Sequence, residues 1–537
     1  MKRNSILGVA LFAASVVSAQ EMTDAYRYTK KEIVGTARYM GMAGAFGALG
    51  GDISTLSQNP AGIGVYRSSE VVATMALGGV ETNTSMPTNS LDVTGEKWKQ
   101  GKFNINFNNL GYVGTFKTGK REGLVNFNVG FAFNRQGGEK RKYTVTQNYM
   151  ASSLTDYIAV GATNWGGDPG KLLDTSNPKY DPYYDSGAPW LTVLAYNTGL
   201  LRAQNNGNSY TYSSPSELAG LAVGGDLLVE EKSRIDEYTF NVGGNFSNIV
   251  YWGLGLGVSD LNFEQRISYD EFYWDPNNAN SNPLDNTNYR LSNYLKTTGT
   301  GINVKAGLII RPTNMLRLGV AVHTPTWYHM TDNFIGKINV YEKLPGTPWE
   351  IMDTPEDYID YRMDTPWKYQ FSTALILGKN GILSFEYDLE DYSQIRLAND
   401  NGEEYAFADQ NADMKAQLKM MNTFKVGAEW RLTPLVSVRL GYANQSTAYD
   451  KRILNNQAQV FVAGTIPNYV IDRGTQYYTA GLGYRMGSFF TDMAFVWKSN
   501  QQDAYLFPEV SNANILSEKS KLTTDSFKFL LTLGYKF

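Results

Sequence analysis

The 537-residue chain contains no cysteine, so disulfides and thiolate-held metals are excluded. Histidine is nearly absent: only His323 and His329 occur. No Gly-x-Ser-x-Gly elbow accompanies them, so a hydrolase built on an activated serine lacks its parts, and no enzyme activity is expected. Long hydrophobic runs are missing too; stretches such as Ala374–Leu377 fall far short of the ~20 residues a membrane-spanning helix needs. Charge of one sign is not in excess: the net charge is −4 and no basic run appears, which argues against a nucleic-acid partner. No phosphate-binding glycine loop opens a helix, and the Asp/Asn-rich stretch Asp275–Asn288 has no EF-hand spacing, so no nucleotide, metal or other cofactor is expected.

What the chain has in quantity is aromatic and small residues: 36 Tyr, 25 Phe, 10 Trp and 52 Gly. Its first residues read as an export signal. Lys2 and Arg3 precede an apolar core from Ile6 to Val17, and Val17-Ser18-Ala19 supplies small side chains for cleavage, leaving Gln20 as the mature N-terminus. Residues 1–19 are therefore assigned to a cleaved signal peptide.

From about Ser68 the sequence alternates with period two over segments long enough to cross a bilayer as tilted strands. In Thr423–Leu432, Phe424, Val426, Ala428, Trp430 and Leu432 share one face, and Thr423, Lys425, Gly427, Glu429 and Arg431 the other. In a barrel the first face meets lipid and the second lines a wet lumen. Such runs number about fourteen, an even count as closure requires. They start near Val71, Phe103, Leu124, Arg234, Val250, Leu295, Leu316, Asp364, Gly381, Asn422, Val436, Thr475, Phe489 and Ser526. Short connections such as Ser247–Asn248 and Leu432–Pro434 alternate with long ones, the largest being 137–232, read as an extracellular insertion. The predicted fold is all-β: a transmembrane up-and-down antiparallel barrel over 67–537, surrounded by outer-membrane lipid.

The same register places Trp430, Tyr484 and Tyr535 in one aromatic girdle and Phe424, Tyr478 and Trp497 in the other. It turns Lys305, Arg311, Arg317, His323, Glu386, Asp388, Lys425, Glu429, Arg431, Arg439 and Arg485 into the lumen. Lysine is then expected to be costly at Val426 and Leu440 and tolerated at Gly427 and Ser437.

Residues 20–66 do not alternate. The run Thr36–Asp52 is crowded with Gly, Ala and Met, Asp52 is placed to cap a short helical run to Gln58, and Asn59-Pro60-Ala61-Gly62 is a stop-and-turn signal. Small residues let backbone approach a barrel wall, so this segment reads as a plug inside the lumen.

The run Arg38-Tyr39-Met40-Gly41-Met42-Ala43-Gly44-Ala45, followed by Asp52 and then Asn59-Pro60-Ala61-Gly62, resembles the N-terminal hatch of the FadL/TodX family, outer-membrane transporters for long-chain fatty acids and other hydrophobic molecules. Thr365-Pro366-Trp367, Phe424–Arg431 and Val438–Tyr442 are similar to that family's barrel, and terminal Phe537 fits the signal by which the assembly machinery inserts such barrels. The resemblance implies a fourteen-stranded barrel of the bacterial outer membrane, passive diffusion without an energy-coupling partner, and a sideways exit near the third strand. Gating residues are then expected at Gly41, Gly44, Asp52, Asn59, Pro60 and Ala61. Ligand contacts are expected at Met40, Met42 and Phe46 of the hatch and at Arg317, His323 and Arg431 of the wall. The predicted function is uptake of a hydrophobic small molecule such as a fatty acid. The alternative is a structural or adhesive barrel that binds haem or a host surface without transport.

Overall fold

The computed structural model describes residues 21–85, 98–138, 140–173, 179–215, 218, 220–275, 277, 288–341, 350–460, 462 and 464–537; the stretch 1–19 expected as a signal peptide and most of 275–288 lie outside them. The wall is a closed antiparallel barrel of 14 strands. In chain order they are β1 (Glu70–Ser85), β2 (Trp98–Lys117), β3 (Leu124–Gly137, continued by Lys140–Gln147), β4 (Ala222–Phe246), β5 (Val250–Trp274), β6 (Tyr289–Ile310) and β7 (Leu316–His323 and Trp327–Val340). There follow β8 (Asp357–Asp364 and Lys368–Leu377), β9 (Gly381–Asp391), β10 (Met420–Arg431), β11 (Val436–Gln445), β12 (Tyr469–Met486), β13 (Phe489–Tyr505) and β14 (Ser520–Lys536). Each strand pairs with its neighbour in sequence, and β1 closes on β14 from Glu70↔Lys536 to Ser85↔Lys521. No described helix is long and apolar enough to cross a membrane; the strands do it.

Side-chain burial follows the expected faces. Phe424, Trp430, Leu440, Tyr478, Tyr484 and Tyr535 are exposed on the outside, while Lys425, Glu429 and Arg439 are buried inside. The outer aromatics also stack across strands, as Tyr478 and Trp497 do at 5.2 Å between ring centroids. Leu440 is 67% exposed on this apolar surface. Leu440→Lys should cost about 2–4 kcal/mol in a urea titration of the protein folded into vesicles, with Ser437→Lys nearly neutral. A larger cost at Ser437 would mean that the two faces are exchanged.

At the short-turn end, strands begin at Leu124, Val250, Leu316, Gly381, Val436 and Phe489, as expected. At the long-loop end they run further: β4 starts at Ala222 rather than Arg234, and β6 at Tyr289 rather than Leu295. Beyond the lipid the outer face has no need to be apolar, so the alternation fades while the ladder continues, as in Glu230↔Arg266 and Lys232↔Glu264. Asp364 does not start a strand; it ends the upper half of β8. The breaks in β7 and β8 fall at Pro325 and Pro366, which have no N–H to give the ladder. At that level Thr326 N donates to Thr365 Oγ1 at 2.8 Å and bridges the gap.

The stretch 137–232 begins and ends as wall strand. Between, it forms helices Leu154–Trp165, Pro182–Asp185 and Trp190–Asn197 and a small hairpin, Arg202–Asn205 with Tyr210–Ser213. Buried Leu194, Val193 and Trp190 join Phe334, Met352 and the loops after β9, β11 and β13 in one apolar cluster across the long-loop mouth. Glu271 of β5 pins the first helix, accepting from Leu154 N at 2.9 Å and Ser153 Oγ at 2.5 Å.

Candidate functional site

Residues 21–66 thread the bore. Helix Met22–Thr29 lies within the apolar cluster at the long-loop end, and single turns at Ala37–Met40, Ile53–Ser57 and Pro60–Val65 follow it towards the short-turn end. Asp52 caps the second turn as expected, accepting from Ser54 N at 2.9 Å, and its other oxygen accepts from Thr36 Oγ1 at 2.8 Å. The turn is a 3-10 helix rather than an α-helix. Asn59 starts a further turn instead of only ending one: its Oδ1 accepts from Ala61 N at 3.1 Å, with Pro60 at the first helical position. Its Nδ2 donates to Gly47 O at 2.7 Å, tying this turn to the glycine-rich run before Asp52.

Irregular backbone at membrane depth survives only where protein satisfies its polar groups. Here the wall does so. Asn126 Nδ2 donates to Tyr66 O at 2.6 Å, Asn128 Nδ2 to Ile63 O at 2.5 Å and Asn241 Nδ2 to Leu56 O at 3.2 Å. Glu386 accepts from Gly47 N at 2.6 Å, and Thr532 from Ala37 N at 2.8 Å. Arg38 reaches Glu429 at 3.0 Å, and Glu32 sits between Lys498 at 2.9 Å and Lys528 at 3.1 Å.

Wall glycines make room for this backbone. A Cβ on Gly253 of β5 would stand 2.1 Å from Pro60 O, and one on Gly441 of β11 would stand 2.4 Å from Met42 C. Gly307, Gly319, Gly427 and Gly481 meet Asn59, Gly47, Met42 and Gly41 in the same way. Lysine at Gly427, read from the sequence as tolerated, is therefore expected to be costly, because that lumen position is filled by the hatch.

The expected gating residues are brought together in this packing. Gly41 lies against Gly481, and Gly44, at φ +78°, turns the chain beside Ile33 and Tyr39. Ala61 is buried with Tyr251 and Ile309. Asn59→Ala should cost about 1–3 kcal/mol locally by leaving Gly47 O without its donor. The change should appear as faster hydrogen exchange at residues 47–62, with unchanged electrophoretic heat-modifiability of the barrel.

Of the expected ligand contacts, Met40, Met42 and Phe46 are fully enclosed between hatch and wall and line none of the described cavities. His323 faces the lumen, its Nε2 2.5 Å from Gln58 O, so it too holds the hatch. Arg317 donates to Leu49 O at 2.9 Å, and with Arg431 it lines the short-turn mouth. Arg311 is not in the lumen: β6 ends at Ile310, and Arg311 lies in the turn, donating to Asn314.

The hatch divides the free volume. An upper cavity of about 150 Å³ lies between the hatch and the long-loop cluster, lined by Tyr26, Phe263, Tyr449, Val470 and Ile235. Its cations are matched: Arg27 with Asp24, Lys30 with Asp472, Lys498 with Glu32, and Arg141 with Glu231. A middle space of about 50 Å³ around Tyr39, His323 and Lys425 is polar and narrow. A lower cavity of about 350 Å³ opens at the short-turn end. Beside the upper cavity, at Gly137 and Gly138, the wall seam parts. β2 pairs with β3 only from Asn109↔Asn134 to Lys117↔Asn126, with Arg135 donating to Asn106 Oδ1 at 3.4 Å just above, whereas Lys140–Gln147 pairs with β4 alone and lies over β2 and β1 towards β14, where Gln147 Nε2 donates to Glu518 O at 2.7 Å. The wall glycines are the site feature that sequence reasoning missed, although they stood at lumen positions in the alternation; an opening near the third strand was implied by the resemblance alone.

No protein-family model matches the chain, and no curated protein matches it in sequence. Among solved structures, a Pseudomonas aeruginosa FadL homologue matches with a TM-score of 0.54 at 12% identity, over 94% of this chain and 99% of that one. The P. putida toluene transporter TodX matches at 10% identity with a TM-score of 0.49, over 94% and 99% of the two chains. The chain thus has the fold of the FadL homologue: a closed fourteen-strand transmembrane barrel.

Proposed function

We propose that this chain is an outer-membrane channel of the FadL type for passive uptake of hydrophobic small molecules, long-chain fatty acids among them. The observation that carries the reading is the upper cavity beside the parted β2–β3 seam, closed from below by the hatch. Its aromatic and aliphatic lining rewards burial of apolar surface at ~25 cal/mol per Å², and its cations are already paired, so the chain of a ligand rather than its charge is recognised there. This reading offers a ligand two routes from that cavity once the packing there shifts: sideways at the seam above Asn109, or downward past the hatch. In this reading Gly41, Gly44, Asp52, Asn59, Pro60 and Ala61 gate the second route: Gly41, Asn59, Pro60 and Ala61 meet the wall, and Gly44 and Asp52 hold the hatch's own turns. The cluster that 137–232 forms with the loops after β9, β11 and β13 covers the long-loop side, so in this reading it must part for a ligand to arrive.

The test is uptake of a labelled long-chain fatty acid and of a neutral aromatic hydrocarbon by cells that carry the protein or an empty vector. Uptake of either above the control supports the channel; uptake of neither, with the barrel correctly assembled, overturns it and favours the adhesive reading.

A further inference from the structure

The lower cavity differs in kind from the upper one. Arg38, Arg439 and Lys536 at its margin are paired with Glu429, Asp492 or Glu70. Arg67, Arg317, Arg431 and Arg485 line the same cavity, and none of the four has a carboxylate partner among the described residues. Arg317 Nε is buried with no hydrogen-bond partner, and Arg485 lies over the Phe490 ring at 5.9 Å. Four guanidinium groups around one partly enclosed space repel one another, and a bound anion relieves that repulsion. Guanidinium presents paired N–H donors that match the two oxygens of a carboxylate. Between the arginines stand apolar surfaces: Leu49, Ile53, Leu435 and Phe490. The volume of about 350 Å³ falls within the range of small-molecule pockets, ~300–1,000 Å³.

We infer that the lower cavity is a binding site for the carboxylate head of a single-chain amphiphile, placed at the periplasmic mouth beneath the hatch. The arginines hold the head and the apolar walls take the first methylene groups. An inorganic anion uses only the former, and a neutral hydrocarbon only the latter. The inference deepens the uptake reading and rests on it for what the ligand is doing there. The upper cavity captures apolar chains without regard to charge, and the lower one sorts what arrives by its head group.

The experiment uses the full-length protein in detergent with two photoreactive probes, dodecanoate and dodecanol, each carrying a diazirine near the head group. Mass spectrometry of the labelled peptides is expected to place the dodecanoate label in residues 431–437 and 483–490, with the dodecanol label there at least about ten-fold weaker. Arg431→Gln with Arg485→Gln should reduce the dodecanoate label at the mouth by a similar factor, while the barrel stays heat-modifiable. Equal labelling by both probes, an unchanged label in the double variant, or displacement by inorganic phosphate as effectively as by unlabelled dodecanoate would overturn the proposal. Dodecanol uptake by vesicles containing the unaltered protein reports on the channel separately, so its failure is distinguishable from failure of the site.

Discussion

Replacing Glu237 by Ala is expected to destabilise the barrel by about 3–5 kcal/mol, the cost of leaving a buried charge without its partner. Glu237 on β4 and Lys305 on β6 meet at 2.6 Å through both carboxylate oxygens, with 0% and 2% side-chain exposure. They do so across β5. Gly257 lies between them, and a Cβ there would stand 2.9 Å from Glu237 Oε1, so the intervening strand carries no side chain that would separate the pair. Gln136 and Asn303 donate to the remaining lone pairs at 2.9 and 3.3 Å. Once Glu237 is lost, Lys305 keeps its burial and has no counter-charge. The double variant Glu237→Ala/Lys305→Met removes both charges together and should recover most of the loss, because an apolar pair of fitting volume is often no worse than a buried ion pair. Urea unfolding of both variants in vesicles decides the matter. A loss below about 1 kcal/mol for Glu237→Ala would show that water reaches Lys305 and that the bore there is wet.

The contrast between these charges and the lipid face shows what was legible in advance. The outer surface imposes one rule on every second residue, so Phe424, Trp430 and Leu440 declared the barrel locally, and the short turns marked where strands begin. The lumen imposes no such rule. That Lys425 and Glu386 face inward follows from parity; that Lys425 also meets Asp388, which in turn holds Lys368 at 2.9 Å, depends on the register between neighbouring strands, which parity does not fix. The hatch is harder still to read, since its anchors pair residues as distant as Ala37 and Thr532. Met40, Met42 and Phe46 looked available to a ligand because apolar side chains in a polar bore want a partner. The hatch and wall supply that partner themselves. The parted seam carries no local mark, and the strand piece beyond it, Lys140–Gln147, lay inside the stretch read as an extracellular insertion.

Valine at Gly253 and Gly441 together is expected to unseat the hatch while sparing the wall. Both glycines sit in strands, where valine is the better residue by propensity, so the ladder gains rather than loses. The new side chains point inward, and what they meet is backbone: Pro60 O and C at 2.1 and 2.3 Å from one Cβ, Met42 C and Ala43 N at 2.4 and 2.5 Å from the other. Flexible side chains could move aside; these peptide groups are themselves tied by the Asn59–Gly47 bond and by Thr479 accepting from Ala43 N at 3.1 Å. The hatch must therefore leave its seat at two points on opposite flanks. The variant should remain heat-modifiable, become susceptible to protease within residues 30–66, and conduct ions in planar bilayers at a level approaching that of a protein lacking Thr36–Gly64. The unaltered protein should conduct far less, because the middle space beside the hatch, about 50 Å³, admits little more than a few waters. A variant that stays protected and closed would show that the wall yields instead, and that the glycines record close packing without being required for it. A variant that opens yet takes up no hydrophobic compound faster would separate the hatch as a plug from the hatch as a gate, and would leave the β2–β3 seam as the working route.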